Sequence, residues 1–146
     1  MMLTYLAKAG SAWFMGFFPL FEIYVAVPAA IALQLDYVSA VLWSVLGNFS
    51  VVPLLILFSS QLRRIEIVER WMSRRDTERW APSFNRYGSL FVLLMTPVLG
   101  VWFMTPLAQA MGMKPARLIV SALLSISVYA VVIAGSIALG LNWFTA

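Results

Sequence analysis

Histidine and cysteine are both absent from the 146 residues. Their absence removes the imidazole bases, thiol nucleophiles and soft-metal ligands on which most hydrolase and zinc constellations depend, and it leaves the redox compartment unreadable. One carboxylate in apolar sequence, without a second acid or a metal set, is a poor catalytic kit, so the chain is not expected to be an enzyme or to carry a metal or cofactor. Charge is scarce as well. Asp, Glu, Lys and Arg make up 11% of the residues, where an ordinary soluble domain has about 25%. A secretory leader is not expected either, because the first segment carries a lone Lys8 and runs directly into further membrane-seeking sequence.

What the chain has instead is apolar length. Hydrophobic residues account for 62% and the mean hydropathy is +0.90. Tyr37 to Ser60 and Ala116 to Leu141 each hold a charge-free stretch longer than the ~20 residues that cross a ~30 Å hydrocarbon core at 1.5 Å per residue. Both predict transmembrane helices of an all-α integral membrane protein.

The formal charge of +4 is concentrated in one block. Seven of the ten Lys and Arg are Arg63, Arg64, Arg70, Arg74, Arg75, Arg79 and Arg86. The positive-inside rule places this block in the cytoplasm and accounts for it without nucleic acid. Within it Leu62, Ile65, Val68, Trp71 and Met72 recur at helical spacing, which predicts an amphipathic linker helix over 61–86, lying on the membrane and ending at Ala81-Pro82-Ser83.

Two further apolar stretches, Ser11 to Leu35 and Ser89 to Met113, each carry two prolines and a glycine or carboxylate in the middle. Sliding the chain by 78 positions superposes Gly10 on Gly88, Ser11 on Ser89, Pro19 on Pro97, Pro28 on Pro106, Ala30 on Ala108 and Ala32 on Ala110 without a gap. The chain therefore reads as a single membrane domain with two copies of "broken segment, then span": repeat 1 over 1–60, the linker over 61–86, and repeat 2 over 87–146.

Charge suggests how the broken segments sit. If Ser89 to Met113 crossed the bilayer, Arg86 and the pair Lys114 and Arg117 would lie on opposite sides. A re-entrant hairpin that turns near Pro97 to Gly100 keeps them all inside. Asp36 stands where the second copy has Lys114, as expected for a first hairpin entering from the outside, whereas Lys8 opposite Arg86 fits a crossing segment better. Broken backbone at membrane depth needs shelter from protein or water, which two oppositely oriented hairpins would supply to each other.

Glu22 is the one acidic residue deep in an apolar segment, three positions after Pro19. A central membrane charge costs about 2.5–3.5 kcal/mol, so such a group is neutral, paired or in a water-filled cavity, and a proton exchanged during function is the natural use. Candidate substrate contacts are Tyr24, Pro28 and Asn48 in the first copy and Pro97, Gly100, Trp102 and Gln109 in the second. Asn48, Gln34 and Gln109 could equally be amides that join helices. Trp13, Trp43, Trp71, Trp80 and Trp143 read as interfacial anchors.

Phe-Pro-Leu-Phe-Glu22-Ile-Tyr-Val-Ala-Val-Pro28-Ala-Ala, the following Gly47-Asn48, and Arg86-Tyr87-Gly88 leading into Pro97-Val-Leu-Gly100-Val-Trp102 resemble the prokaryotic small multidrug export proteins, distant relatives of the DedA or VTT membrane proteins. The resemblance spans roughly Leu20 to Gly140. It implies a prokaryotic cytoplasmic membrane, paired re-entrant hairpins in an inverted repeat, movement of polyprenyl phosphates or phospholipids, and proton coupling through Glu22. The family's Glu-x-Arg is Glu-x-Tyr24 here, and Pro-Val-Leu-Gly replaces its Pro-x-Pro-Gly. Headgroup contact would then fall to Arg86 and Arg117 near the membrane surface.

The expected function is a proton-linked transporter or flippase of lipid-like, amphipathic molecules. The alternatives are a proton-coupled exporter of cationic compounds and a non-transporting membrane scaffold. With little interior of its own, a chain with two full spans is expected to form a homodimer or larger assembly.

Overall fold

A computed structural model describes the backbone of residues 1–62 and 76–145. The stretch 63–75, which carries most of the predicted linker helix and its arginines, lies outside the described residues. The others fold as six helices and no strand: α1 (Met2–Phe17), α2 (Glu22–Ala32), α3 (Tyr37–Leu62), α4 (Asp76–Leu99), α5 (Val101–Ala110) and α6 (Pro115–Thr145).

Among the described residues two helices are long and apolar enough to cross a bilayer, over Tyr37–Ser59 in α3 and Pro115–Gly140 in α6. Protein covers only 28% and 39% of their most apolar windows, so neither is the buried core helix of a soluble domain. Val38 and Leu57 on α3, and Val120 and Leu139 on α6, are largely exposed. Apolar surface of that extent suits lipid, not water.

The chain divides into two compact units, Met1–Ser50 with Ile126–Ala146, and Val51–Ser125. In the first unit α1 packs on α2 and runs parallel to α3. Near the start of both helices the Tyr5 hydroxyl shares a 3.1 Å hydrogen bond with Ser39 Oγ and accepts another from Trp43 Nε1 at 3.1 Å. Near the far end of α1, Gly16 lies against Ser44 and Asn48. Asn48 is the twelfth residue of α3, about 17 Å from its start at 1.5 Å per residue. So α1 stops beside the middle of α3, the chain reverses over 18–21, and α2 returns to the end from which α1 set out. Ala12, Ala30, Leu35 and Ala40 form the core between them, with Ile31 and Trp43 packed against it. Trp13 lies with its backbone against Gly47 and its ring stacked on Phe17 at 5.3 Å.

The second unit uses the same plan. Helix α4 packs on α5 and runs parallel to α6, with Arg117 Nε donating to Ser89 Oγ at 2.6 Å and Ser125 Oγ donating to the Leu93 carbonyl at 2.8 Å. The break predicted at Ala81-Pro82-Ser83 is absent, since α4 continues through Pro82. Proline there removes the amide donor that would face the Glu78 carbonyl, and the helix runs on past it. Arg86 therefore belongs to the same helix as Pro97.

Backbone geometry follows the offset of 78 closely. Among the described residues, φ is positive at Glu22 (42°), Gln34 (63°), Gly100 (77°) and Gly112 (81°), which form two pairs at that spacing. The end of α2 is closed by Gln34 N–H to Ile31 O (2.8 Å) and Leu35 N–H to Ala30 O (3.1 Å). The end of α5 is closed by Gly112 N–H to Gln109 O and Met113 N–H to Ala108 O, both 3.0 Å. Both are Schellman caps with a left-handed residue, followed by a buried apolar side chain, Leu35 or Met113.

The long helices then start differently. Proline occupies the first position of α6, where a missing N–H costs nothing. At α3 the Asp36 carboxylate caps the helix by accepting the Ser39 N–H at 2.9 Å. That hydrogen bond, reinforced by the Ser39 hydroxyl, holds the Asp36 carboxyl below the usual carboxylate range. Because the folded value is depressed, the cap contributes at every pH above the unfolded value of about 3.9 and is lost as pH falls through the folded one. Thermal melts of Asp36→Ala should show a small drop in Tm at neutral pH that disappears in strong acid. Asp36→Asn should keep the cap without the acid dependence; equal melting of Asp36→Ala and the parent at pH 7 would exclude this role.

Candidate functional site

A helix that stops inside an apolar layer leaves carbonyls without amide partners, and each must find a donor. In the first unit the Phe18 N–H closes on the Phe14 carbonyl at 3.0 Å, and the Phe18 carbonyl accepts both Phe21 N–H at 3.1 Å and Glu22 N–H at 3.0 Å. The Gly16 carbonyl would have met the Leu20 N–H in a continuing helix. It receives Asn48 Nδ2 at 3.0 Å instead, from a side chain that is buried. The approach needs glycine twice. A Cβ on Gly16 would fall inside contact distance of the Ser44 carbonyl, and one on Gly47 inside contact distance of the Trp13 carbonyl.

The second unit solves the same problem with a hydroxyl. Pro97 has no N–H to offer the Leu93 carbonyl four residues back, and Ser125 Oγ from α6 supplies the missing donor at 2.8 Å. The chain then turns at Gly100, whose N–H reaches the Thr96 carbonyl at 2.8 Å. Its φ of 77° and ψ of 157° lie in a region that is essentially glycine's alone.

These breaks place the candidate residues. In the first unit Glu22 is the opening residue of α2, half-buried, in a left-handed conformation. Lys8 is the one basic residue in that unit's sequence. Tyr24 is exposed on α2 and Pro28 half-buried within it. Asn48 is committed by its amide nitrogen to joining α3 to the end of α1.

In the second unit Pro97 and Gly100 form the turn, Trp102 and Gln109 are half-buried on α5, and the exposed Arg86 places its guanidinium over the Tyr87 ring at 5.5 Å. Arg117, half-buried on α6, is tied to Ser89. The Glu22 group and the Gly100 group thus sit in separate units. Gly16 and Ser125 were not singled out from sequence. The signal for Ser125 is the proline itself, which announces an orphan carbonyl at Leu93 that some neighbouring side chain must meet.

Two grooves open on these units. An apolar one of about 420 Å³ in the first lies between Tyr37, Val38, Val41 and Leu42 of α3 and Val131, Ala134, Gly135 and Ala138 of α6. Another, of about 510 Å³, runs between α4 and α6 in the second and includes Arg117, the one candidate residue that lines either groove. Among the described residues no cluster of three Asp or Glu could hold a metal ion.

The model of a family described as "Putative small multi-drug export protein" matches residues 22–133, beginning at Glu22 itself. No curated protein and no solved structure matches the chain. The matched stretch covers well over half the sequence and contains α2, the turn at Gly100, the whole of the first apolar span and most of the second. The chain is a membrane protein that belongs to the small multi-drug export protein family.

Proposed function

We propose that the protein is a proton-linked transporter or flippase of lipid-like, amphipathic molecules, in which α1–α2 and α4–α5 are re-entrant hairpins of an inverted repeat related to the DedA or VTT proteins. The observation that carries the reading is the pair of left-handed residues at the two breaks, Glu22 and Gly100, at the same repeat position. A carboxylate held at such a break is suited to exchanging a proton for substrate. Helices α2 and α5, of 11 and 10 residues, are about 15–16 Å long, half of a ~30 Å core, which fits hairpins that enter and return. The basic block then faces the cytoplasm of a prokaryotic cell, and the protein acts as a dimer or larger assembly.

The family description supports a second reading, export of cationic drugs, in which Glu22 is shared between proton and cation. Reconstitution in vesicles with an imposed pH gradient separates the two. The first predicts gradient-dependent movement of a labelled polyprenyl phosphate or phospholipid with little movement of a cationic dye, and the second predicts the reverse. Movement of neither would leave the scaffold reading standing and end both transport readings.

A further inference from the structure

We propose that the groove between α4 and α6 in the second unit binds one anionic phospholipid, with its phosphate at Arg117 and an acyl chain along the groove. This site does not depend on the transport reading.

The groove has two chemically different ends. Ser89 and Arg117 form one, and Leu90, Leu93, Val120 and Leu124 line the rest. From Arg117 to Leu124 the wall runs seven residues, about 10 Å along α6. Its volume of about 510 Å³ admits a chain as well as a headgroup phosphate, and an apolar wall facing hydrocarbon is filled by lipid in a bilayer. The charged end decides which lipid. Arg117 Nε donates to Ser89 Oγ at 2.6 Å, and this fixes the guanidinium across the mouth between the two helices. It is the charge so positioned that selects a phosphate.

Lys114 lies three residues before Arg117 and Arg86 three residues before Ser89, both exposed and toward the same end. The N-terminus of α6 adds its partial positive charge at that end. Basic pockets between membrane helices recognise anionic headgroups by this combination.

The first unit lacks the Arg117 and Lys114 pair, although Lys8 stands where Arg86 does. Shifted by 78 positions, Arg117 becomes Ser39, engaged with Tyr5, and Lys114 becomes Asp36, engaged as a helix cap. The lipid is therefore expected once per chain, in the leaflet that holds the start of α6.

The test equilibrates the full-length protein in detergent with equal amounts of palmitoyl-oleoyl phosphatidylglycerol and phosphatidylcholine and reads retained lipid by native mass spectrometry. One phosphatidylglycerol per chain should be retained in preference. Arg117→Gln should lower the glycerol-to-choline ratio roughly tenfold, Arg117→Lys should restore part of it, and millimolar inorganic phosphate should not displace the lipid. Val120→Trp, which fills the groove and leaves the charge intact, should lower retention of both lipids. A phosphatidylglycerol carrying a photoreactive group in its chain should label the unaltered protein on α4 and α6 between Ser89 and Leu93 or Arg117 and Leu124, a readout that needs no variant to fold. Equal ratios in the parent and a folded Arg117→Gln, labelling confined to other helices, or displacement by inorganic phosphate would each overturn the proposal.

Discussion

Valine at position 47 is expected to abolish the native packing of α1 on α3. The three atoms nearest a Cβ at Gly47 are the carbonyl oxygen, carbonyl carbon and Cα of Trp13, all backbone, so no side chain can swing aside to make room. α1 would have to move as a body. Overpacking of this kind costs about 1–3 kcal/mol or more. Movement of α1 would also draw the Gly16 carbonyl away from Asn48 Nδ2, adding about 1–3 kcal/mol for a buried acceptor left without a donor. Together these reach a large share of the roughly 5–15 kcal/mol that stabilises an ordinary domain.

Gly47→Val should therefore give little monodisperse protein in detergent, and whatever survives should melt well below the parent. Gly10 and Gly135 are the controls, because a Cβ there meets nothing within 4 Å. Alanine at either should be neutral or slightly stabilising, since both positions are helical. A Gly47→Val protein that melts like the parent would mean that α1 and α3 do not meet there.

How much of this was legible in the sequence depends on what each feature needs. The two spans were, because length and lack of charge define them without reference to anything else in the chain. The turn at Gly100 was too, since glycine after a proline in apolar sequence has few other uses. The donors that satisfy the broken helices were not legible. Asn48 read as either a substrate contact or a helix joiner, and only the parallel approach of α1 and α3 brings its amide to Gly16. Ser125 drew no notice in a run of apolar and small residues, although its hydroxyl meets the carbonyl that Pro97 cannot. Pro82 misled in the opposite sense, because a proline removes one amide donor and need not end a helix, and α4 continues through it. The expected coverage of the family resemblance, Leu20 to Gly140, was slightly generous at both ends of the matched 22–133.

The offset of 78 also frames the second prediction, which concerns Glu22 and Gly100 as equivalent positions. Both adopt positive φ, 42° and 77°, yet one is glycine and the other a residue with a Cβ, for which the left-handed region costs about 1–2 kcal/mol. Removing the carboxylate and relieving the backbone are therefore separable. Glu22→Ala removes the side chain and keeps the strain, whereas Glu22→Gly removes both, so the glycine variant should be the more stable of the two by about 1 kcal/mol.

Gly100→Ala should go the other way and lose about 1–3 kcal/mol, since its φ and ψ are closed to alanine. If the strained conformation is retained for the sake of the carboxylate, Glu22→Gln should fold like the parent yet lose proton-driven transport to background, and Glu22→Gly should be equally inactive despite its relaxed backbone. Transport by Glu22→Gln at the parental rate and with the parental pH dependence would show that the carboxylate serves the fold alone. A Glu22→Gly protein no more stable than Glu22→Ala would remove the strain argument and, with it, the reason for pairing the two breaks.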